Sequence, residues 1–589
     1  MIDRDGVERT GNLEAHAAAI PLRTIIMNDI AHETSAAVSG KELMRHCAEF
    51  AKRVKLSGTP EELESFRYLE TCLERYGYRT ELLSHDAYIS LPGAARAEVD
   101  GRSLACITHS FTRPSPSGGL RAELLDLGEG GAADFARADC RGKIVLVDGI
   151  ASPAVADLAR RAGAVGQVHV SPHEHLHEMC ISPVWGSPSN ETLALLPSTV
   201  ACTISNVDGE AVRAKLARGG TLEVVLHAQV DTGWRKTPLL VAELDGPAGR
   251  DAPFVLFSGH HDTWYFGVMD NGSANATMLE AARLLAERRA GWRRGLRICF
   301  WSGHSHGRYS GSAWYVDQNF DELDRRCVAH VNVDSTGGIG ADVLTENGVV
   351  IELAGLAREA TLAETGQHHL GKRPSRSSDQ SFWGVGIPSM YGSISHQPPG
   401  PVKMRNPLGW WWHTPHDLID KLDEEFLVRD TRVVVATLSR LLNDPILPLD
   451  PAAHLLSLVE ELKTIAAPLE HDVGLEGVLE VAESVFRKAQ SIKALKGENE
   501  PAMIDRLNAA LVRVSRALVP LDYTEGDRFS HDPALPQPAW PALQKLRDLA
   551  AQKPGSDEAR FVAVGAARAR NRVLASLREA ARALDEATA

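Results

Sequence analysis

The sequence predicts an α/β protein: a mostly parallel sheet with helices on both faces, a β-rich insert, and an all-helical C-terminal domain. Three observations predict it. Apolar strand-like runs alternate with amphipathic helical stretches over residues 236–445, the pattern of a parallel sheet covered on both sides. Residues 92–235 change texture to short β-like runs punctuated by Gly and Pro. Residues 446–589 carry helical periodicity almost throughout. The chain has 589 residues, 44% of them hydrophobic and 24% charged, which excludes a disordered chain, a collagen and a small disulfide scaffold. Its net charge of −14 leaves no basic excess to neutralise phosphates, so neither nucleic acid nor an anionic membrane surface is expected as a partner.

Residues 1–40 have weak periodicity and read as an N-terminal arm. Met1 to Ile20 lacks the continuous apolar core of a signal peptide, no apolar run reaches membrane-spanning length, and the eight cysteines form no CxxC pair. These features predict reduced thiols and a cytoplasmic protein. Thr59-Pro60-Glu61-Glu62 opens a helix with a capping box and a proline in the first turn, and Phe66, Leu69, Leu73 and Tyr76 follow at helical spacing. Gly77 ends it and Arg79 to Leu83 enters a strand. Within 92–235, Ile144 to Asp148 and Ala164 to Val170 read as strands around a helix from Val155 to Ala162. Val200 to Ser205 leads into a further helix at Asp208. That pattern resembles a protease-associated (PA) domain. Phe254 to Ser258, Leu296 to Trp301 and Val328 to Asp334 are buried strands, with a helix from Asn271 to Arg289 between the first two. The predicted division is therefore 41–91 with 236–445 for the catalytic domain, 92–235 for the insert, and 446–589 for the helical domain.

Functional groups gather at the carboxyl ends of the strands of an open parallel sheet. Here those ends hold His260-His261-Asp262, then Gly267-Val268-Met269-Asp270-Asn271-Gly272-Ser273, then Trp301-Ser302-Gly303-His304-Ser305-His306, then Asp334. A late loop holds Trp410-Trp411-Trp412-His413-Thr414-Pro415-His416-Asp417. The tryptophan row reads as part core and part wall of a substrate pocket. The His173-x-His175-x-His177 run in the insert reads as a solvated loop, with metal binding or reach to these strand-end groups as the alternative.

The order of these pieces resembles the co-catalytic zinc aminopeptidases and glutamate carboxypeptidase-like hydrolases, whose relatives include the non-enzymatic transferrin receptor. The shared features are His260-x-Asp262, Asp270 in a Gly-x-x-Asp-Asn-x-Ser context, Asp334 after a strand, and His413 in a His-Thr-x-x-Asp context. Ser378-Asp379 with Phe382 and Gly386-Ile387-Pro388 adds to them. The resemblance implies one metal at His260, Asp270 and Asp334, and a second sharing Asp270 and using His413. Asp262 would orient His260 through its other ring nitrogen. It further implies one or two divalent ions per chain, zinc foremost with Mn, Fe or Co as alternatives, and a homodimer.

One departure stands out. Where the family carries Glu-Glu, a base and a ligand, this chain has His304-Ser305-His306. Counting forward from Trp301 puts His304 on the base and Ser305 on the ligand, whereas counting back from Gly311-Ser312 puts His306 on the ligand. Serine is a poor neutral ligand, so the reading takes His306 as ligand and His304 as base, with the reverse left open. The expected activity is hydrolysis of an amide or peptide-like C–N bond in a small peptide or amide, by water that the metal activates. The alternative is a catalytically inactive, dimeric binding scaffold like the transferrin receptor.

Overall fold

The structure, a computed structural model, describes residues 29–400, 407–469, 473–494 and 500–588. Its strands, in chain order, are β1 (Arg79–Val99), β2 (Arg102–Leu104), β3 (Cys106–Thr108), β4 (Leu120–Asp126), β5 (Ile144–Asp148) and β6 (Gly166–Val170). They continue with β7 (Val200–Ile204), β8 (Glu223–Leu244), β9 (Phe254–His260), β10 (Gly295–Trp301), β11 (Cys327–Asp334) and β12 (Ser389–Ser393). They pair in the order β12-β11-β9-β10-β8-β4-β5-β6-β7-β3, with β1 alongside β8 and β2 on β1.

Strands β9 to β12 are mutually parallel. Every residue of β9, β10 and β11 is buried, which is why these strands read as unbroken apolar runs. Alternation along β9 feeds two cores. Val255 and Phe257 pack with the helices Gly40–Phe50, Pro60–Arg75, Ala274–Glu287 and Glu424–Asn443. Phe254 and Leu256 pack with Tyr315, Val316 and Leu323 of the helices Ser310–Gln318 and Phe320–Arg326. Helix Pro60–Arg75 starts as its sequence predicts, with the Thr59 hydroxyl accepting from the Glu62 amide.

The insert does not begin at a loop. The sequence predicts a strand ending at Leu83, but β1 runs 21 residues and β8 22, antiparallel from the Arg79–Glu243 pair to the Val99–Val224 pair. One end of this ribbon pairs β10 of the catalytic sheet and the other pairs β4 of the insert. Pro92-Gly93, which reads as a strand end, is absorbed by a register shift between Pro92 and Ala95. Beyond it, β4 to β7 form a parallel sheet flanked by the helices Pro153–Arg161 and Asn206–Leu216. Of the expected N-terminal arm, residues 1–28 lie outside the described residues, while Asp29–Ala36 is a helix packed on Glu424–Asn443.

Helices Pro451–Ala466, Leu475–Ala494, Pro501–Tyr523, Gln544–Ala550 and Asp557–Thr588 share a core of their own. Among the described residues no helix is long and apolar enough to cross a membrane. Leu511, Val519 and Tyr523 reach from this bundle into the catalytic core. The Arg516 guanidinium donates to the carbonyls of Leu323, Asp324, Cys327 and Gly386. Buried His454 sits between two carboxylates, Nδ1 on Glu352 at 2.8 Å and Nε2 on Asp522 at 3.1 Å. Arg373 bonds the other Asp522 oxygen. Burial opposes the charge on His454, but the two carboxylates outweigh it and raise its pKa from 6.5 to about 9. The group's stabilisation is therefore complete below pH 6.5 and fades as pH rises through about 9. Replacing His454 with alanine strands two buried carboxylates and is expected to cost roughly 3–5 kcal/mol, read as a lowered urea midpoint at pH 6. A midpoint shift worth less than about 0.5 kcal/mol, the ordinary size of a surface substitution, would show that the triad carries no net charge coupling.

Candidate metal centre

The carboxyl ends of β9, β10 and β11 converge with the 407–417 loop. His260 is the last residue of β9, and its Nδ1 donates to the main-chain carbonyl of Asp262 at 2.9 Å. A carbonyl only accepts, so a proton is fixed on Nδ1 and Nε2 is the nitrogen turned to the site. Burial opposes charge on the ring, but Asp262, Asp270 and Asp334 outweigh it and raise the His260 pKa well above 6.5. That Nε2 faces Asp270 Oδ1 at 3.1 Å and Asp334 Oδ1 at 3.8 Å. On the other side of Asp270, Oδ2 faces His413 Nε2 at 2.9 Å, and His413 Nδ1 donates to the main-chain carbonyl of Glu178 at 2.7 Å. Burial lowers the His413 pKa despite the neighbouring Asp270.

Asp270 therefore points one oxygen at the Nε2 of each of two imidazoles. Each contact needs a proton or a cation between nitrogen and oxygen, and the carboxylates that hold a proton on His260 supply the charge a divalent ion would answer. Nε2 of His260 and Oδ1 of Asp270 are buried with no hydrogen-bond partner. Asp262, Asp270 and Asp334 also crowd three carboxylates around one histidine. The donor set fits a divalent metal ion.

The turns that place these groups have local causes. Asp270 lies in the turn Val268–Ser273, entered at Gly267, where φ is +50° and any Cβ would meet the Asp270 carbonyl at 2.2 Å. Asp417 accepts the amides of Met269 and Asp270 at 2.9 and 3.0 Å, so the last residue of the His-Thr-x-x-Asp run holds the turn rather than a metal. The Asp262 carboxylate accepts from Ser57 Oγ and from the amides of His304 and Ser305. The expected contact of that carboxylate with His260 is correspondingly long, 3.7 Å, and it is the Asp262 main chain that orients the ring. Burial pushes the Asp262 pKa up, but the neighbouring His260 and His306 outweigh it and keep the group ionised.

The structure separates His304 from His306. The ligand atoms of His260, His304 and Asp334 all lie within 4.8 Å of one another. His306, read from sequence as a ligand, is turned away: its Nδ1 bonds Ser57 Oγ at 3.0 Å and its ring packs on Trp264 at 4.3 Å. The cause is the pair of amide bonds from His304 and Ser305 to Asp262, which fixes the turn directly after Trp301. The extra residue is absorbed further on, where Arg308 and Tyr309 have φ of +46° and +69°. The forward count from Trp301 is the one the backbone follows. His304 stacks on His260, with centroids 3.7 Å apart and planes within 12°, and donates from Nδ1 to Asp379 at 2.6 Å. An imidazole lone pair lies in its ring plane, so the in-plane nitrogens of two parallel stacked rings do not converge on one point, and His304 would neighbour a metal held by His260 and Asp334.

Two contributors, Ser57 and Glu178, had no reading as functional residues. Ser57 bonds Asp262, while Asp379, the partner of His304, was visible in sequence only within the Ser378-Asp379 pair. Glu178 acts through its carbonyl, which leaves no trace in side-chain identity. His173 and His177 are buried and His175 is half-buried, rather than solvated, because the run straps the insert to the ligand loop. The His175 amide donates to His173 Nδ1, His173 Nε2 meets His177 Nε2 at 3.0 Å, and His177 Nδ1 bonds the Trp412 carbonyl. Of the tryptophan row, Trp411 is in the core, Trp412 stacks on His413 and lines the cavity, and Trp410 stacks on His175.

The centre opens into a cavity of about 550 Å³ lined by His304, Tyr309, Met179, Ser378 and Trp412. Arg308 is in its wall, 9% exposed, donating to the carbonyls of Cys180 and Ser182. No carboxylate pairs with it among the described residues.

Residues 240–438 match the Peptidase family M28 profile. The chain is 25% identical over 313 residues to Probable glutamate carboxypeptidase VP8 of Zea mays, covering 48% of this chain and 42% of that protein. It is 22% identical over 453 residues to Probable glutamate carboxypeptidase AMP1 of Arabidopsis thaliana, 63% of each. The chain thus spans less than two thirds of these relatives' own lengths. Among solved structures, the aminopeptidase from Aneurinibacillus sp. strain AM-1 superposes with a TM-score of 0.53 at 21% identity, over 70% of this chain and 96% of that one. The zinc aminopeptidase BSAP from Bacillus subtilis gives 0.53 at 20%, over 69% and 95%. These likenesses show the fold.

Proposed function

We propose that residues 240–438, which match the Peptidase family M28 profile, are a metallopeptidase domain of the co-catalytic zinc kind, and that the chain hydrolyses the amide bond of a small substrate carrying a free carboxylate. One observation supports the hydrolytic centre above all: two buried imidazole Nε2 atoms aimed at the two oxygens of buried Asp270. A non-enzymatic scaffold has no use for such an arrangement.

His260, Asp270 and Asp334 are the residues that would hold metal, with His413 facing the far oxygen of Asp270, and zinc is the ion their chemistry and the neighbours support. A divalent cation there supplies Lewis acidity, polarising a carbonyl and lowering the pKa of water toward neutral. His304 takes the proton of the attacking water at Nε2. Asp379, bonded to Nδ1, holds the ring in that tautomer and stabilises the imidazolium that forms. His304 then returns the proton to the leaving nitrogen. In this site a histidine–aspartate pair does the work of a carboxylate base.

Arg308 supports the substrate class. A fixed, unpaired cation in the cavity wall attracts a carboxylate and repels the ammonium that an aminopeptidase must seat. The test is a pair of acylated dipeptides differing only in a free or amidated C-terminus, assayed before and after chelation. Metal-dependent cleavage of the free acid alone is expected. Faster cleavage of the amide would overturn the carboxylate reading, and cleavage of both that survives chelation would overturn the metallopeptidase reading.

A further inference from the structure

We infer that this chain holds one metal ion tightly, at His260, Asp270 and Asp334, and lacks the donors to hold a second beside His413. The inference rests on the proposed metallopeptidase reading and concerns only how many ions the centre retains.

The donors divide unequally. On the His260 side, Nε2, Asp270 Oδ1 and Asp334 Oδ1 are three protein donors, the number a catalytic zinc site uses. Asp334 is held for that task, its Oδ1 accepting from Ser335 and its Oδ2 from Ser378. On the His413 side, Asp270 Oδ2 and His413 Nε2 are two. The cluster whose donor atoms already lie within 4.8 Å of one another is His260, His304 and Asp334, on the His260 side of Asp270, and among the described residues no such cluster includes His413. The His413 ring is flanked by aromatic carbon, Trp412 at 3.4 Å and Trp264 at 5.3 Å.

The backbone shows where a third donor is missing. Ser305 lines the same cavity as Asp270 and His413, and its hydroxyl is buried with no hydrogen-bond partner. It is neutral and short. The next residue, His306, bonds Ser57 through Nδ1, and its buried Nε2 lies outside the cluster of donors that converge. The two-donor position is left with a shared carboxylate and one imidazole, too few to compete with water for a divalent ion.

The experiment counts metal. Full-length protein and variants are loaded with zinc, dialysed against a competing chelator, and measured by elemental analysis, with circular dichroism to confirm folding. One equivalent is expected in the wild type, one in His413→Ala, none in His260→Ala, and two in Ser305→Glu. Two retained equivalents in the wild type would overturn the inference while leaving the metallopeptidase reading intact. No retained metal in the wild type would overturn that reading itself. His413→Ala decides even where Ser305→Glu fails to fold: loss of the tight equivalent from it would place the tight site on the wrong side of Asp270. A folded Ser305→Glu protein that keeps one equivalent would remove Ser305 as the site of the missing donor.

Discussion

Replacing Asp270 with alanine is expected to strip the centre of metal and take hydrolysis below detection. Both oxygens of this carboxylate face metal-competent nitrogens, so one substitution removes a donor from each side. Asp417 gives the scale for comparison. It touches no candidate ion and only holds the amides of Met269 and Asp270, so Asp417→Asn should cost roughly 10–100-fold in metal affinity, the usual effect of an outer partner. Asp270→Ala must cost more. Elemental analysis and the rate on the free-acid dipeptide, measured side by side, check both. Equal metal in wild type and Asp270→Ala would mean that Asp270 is a packing residue whose orphaned oxygen has another cause.

Replacing His304 with alanine should leave metal content unchanged and lower kcat by roughly 10²–10⁴-fold, the size of a general acid–base contribution. His306→Ala should do the opposite in kind: little change in kcat per folded molecule, and a loss of stability, because the ring fills space against Trp264 and ties Ser57 to the turn. Asp379→Asn should follow His304→Ala in direction, since an amide can present its NH₂ to Nδ1 and move the imidazole proton to the wrong nitrogen. If His304→Ala instead loses metal with its rate, His304 is a ligand and the stacked ring must swing on binding.

The strand-end donors were legible because each follows a predicted strand or sits in a late loop, and the resemblance to the co-catalytic aminopeptidases supplied their roles. His260, Asp270 and Asp334 follow apolar runs that can only be buried strands, and His413 precedes a turn whose Asp417 anchors back to Asp270. The choice between His304 and His306 was not. It depends on where one extra residue is absorbed, and that is set by two amides bonding Asp262, a contact across 42 and 43 residues of sequence. The extent of β1 and β8 was hidden for a similar reason. Pro92-Gly93 is a strand-breaking pair by local rules, and only pairing with β8 on the far side of the insert keeps the ribbon continuous. The insert's contribution to the centre lay beyond reach altogether, since it is made by a peptide carbonyl.

That carbonyl has a consequence for how the molecule is born. Glu178 and His413 are 235 residues apart. At about 5–20 residues per second, the ribosome releases the first roughly 10–50 s before the second. N-terminal units fold first, so the β-rich insert meets the emerging loop as a finished template. The last metal-competent side chain is then seated on a surface already made, with its tautomer dictated on arrival.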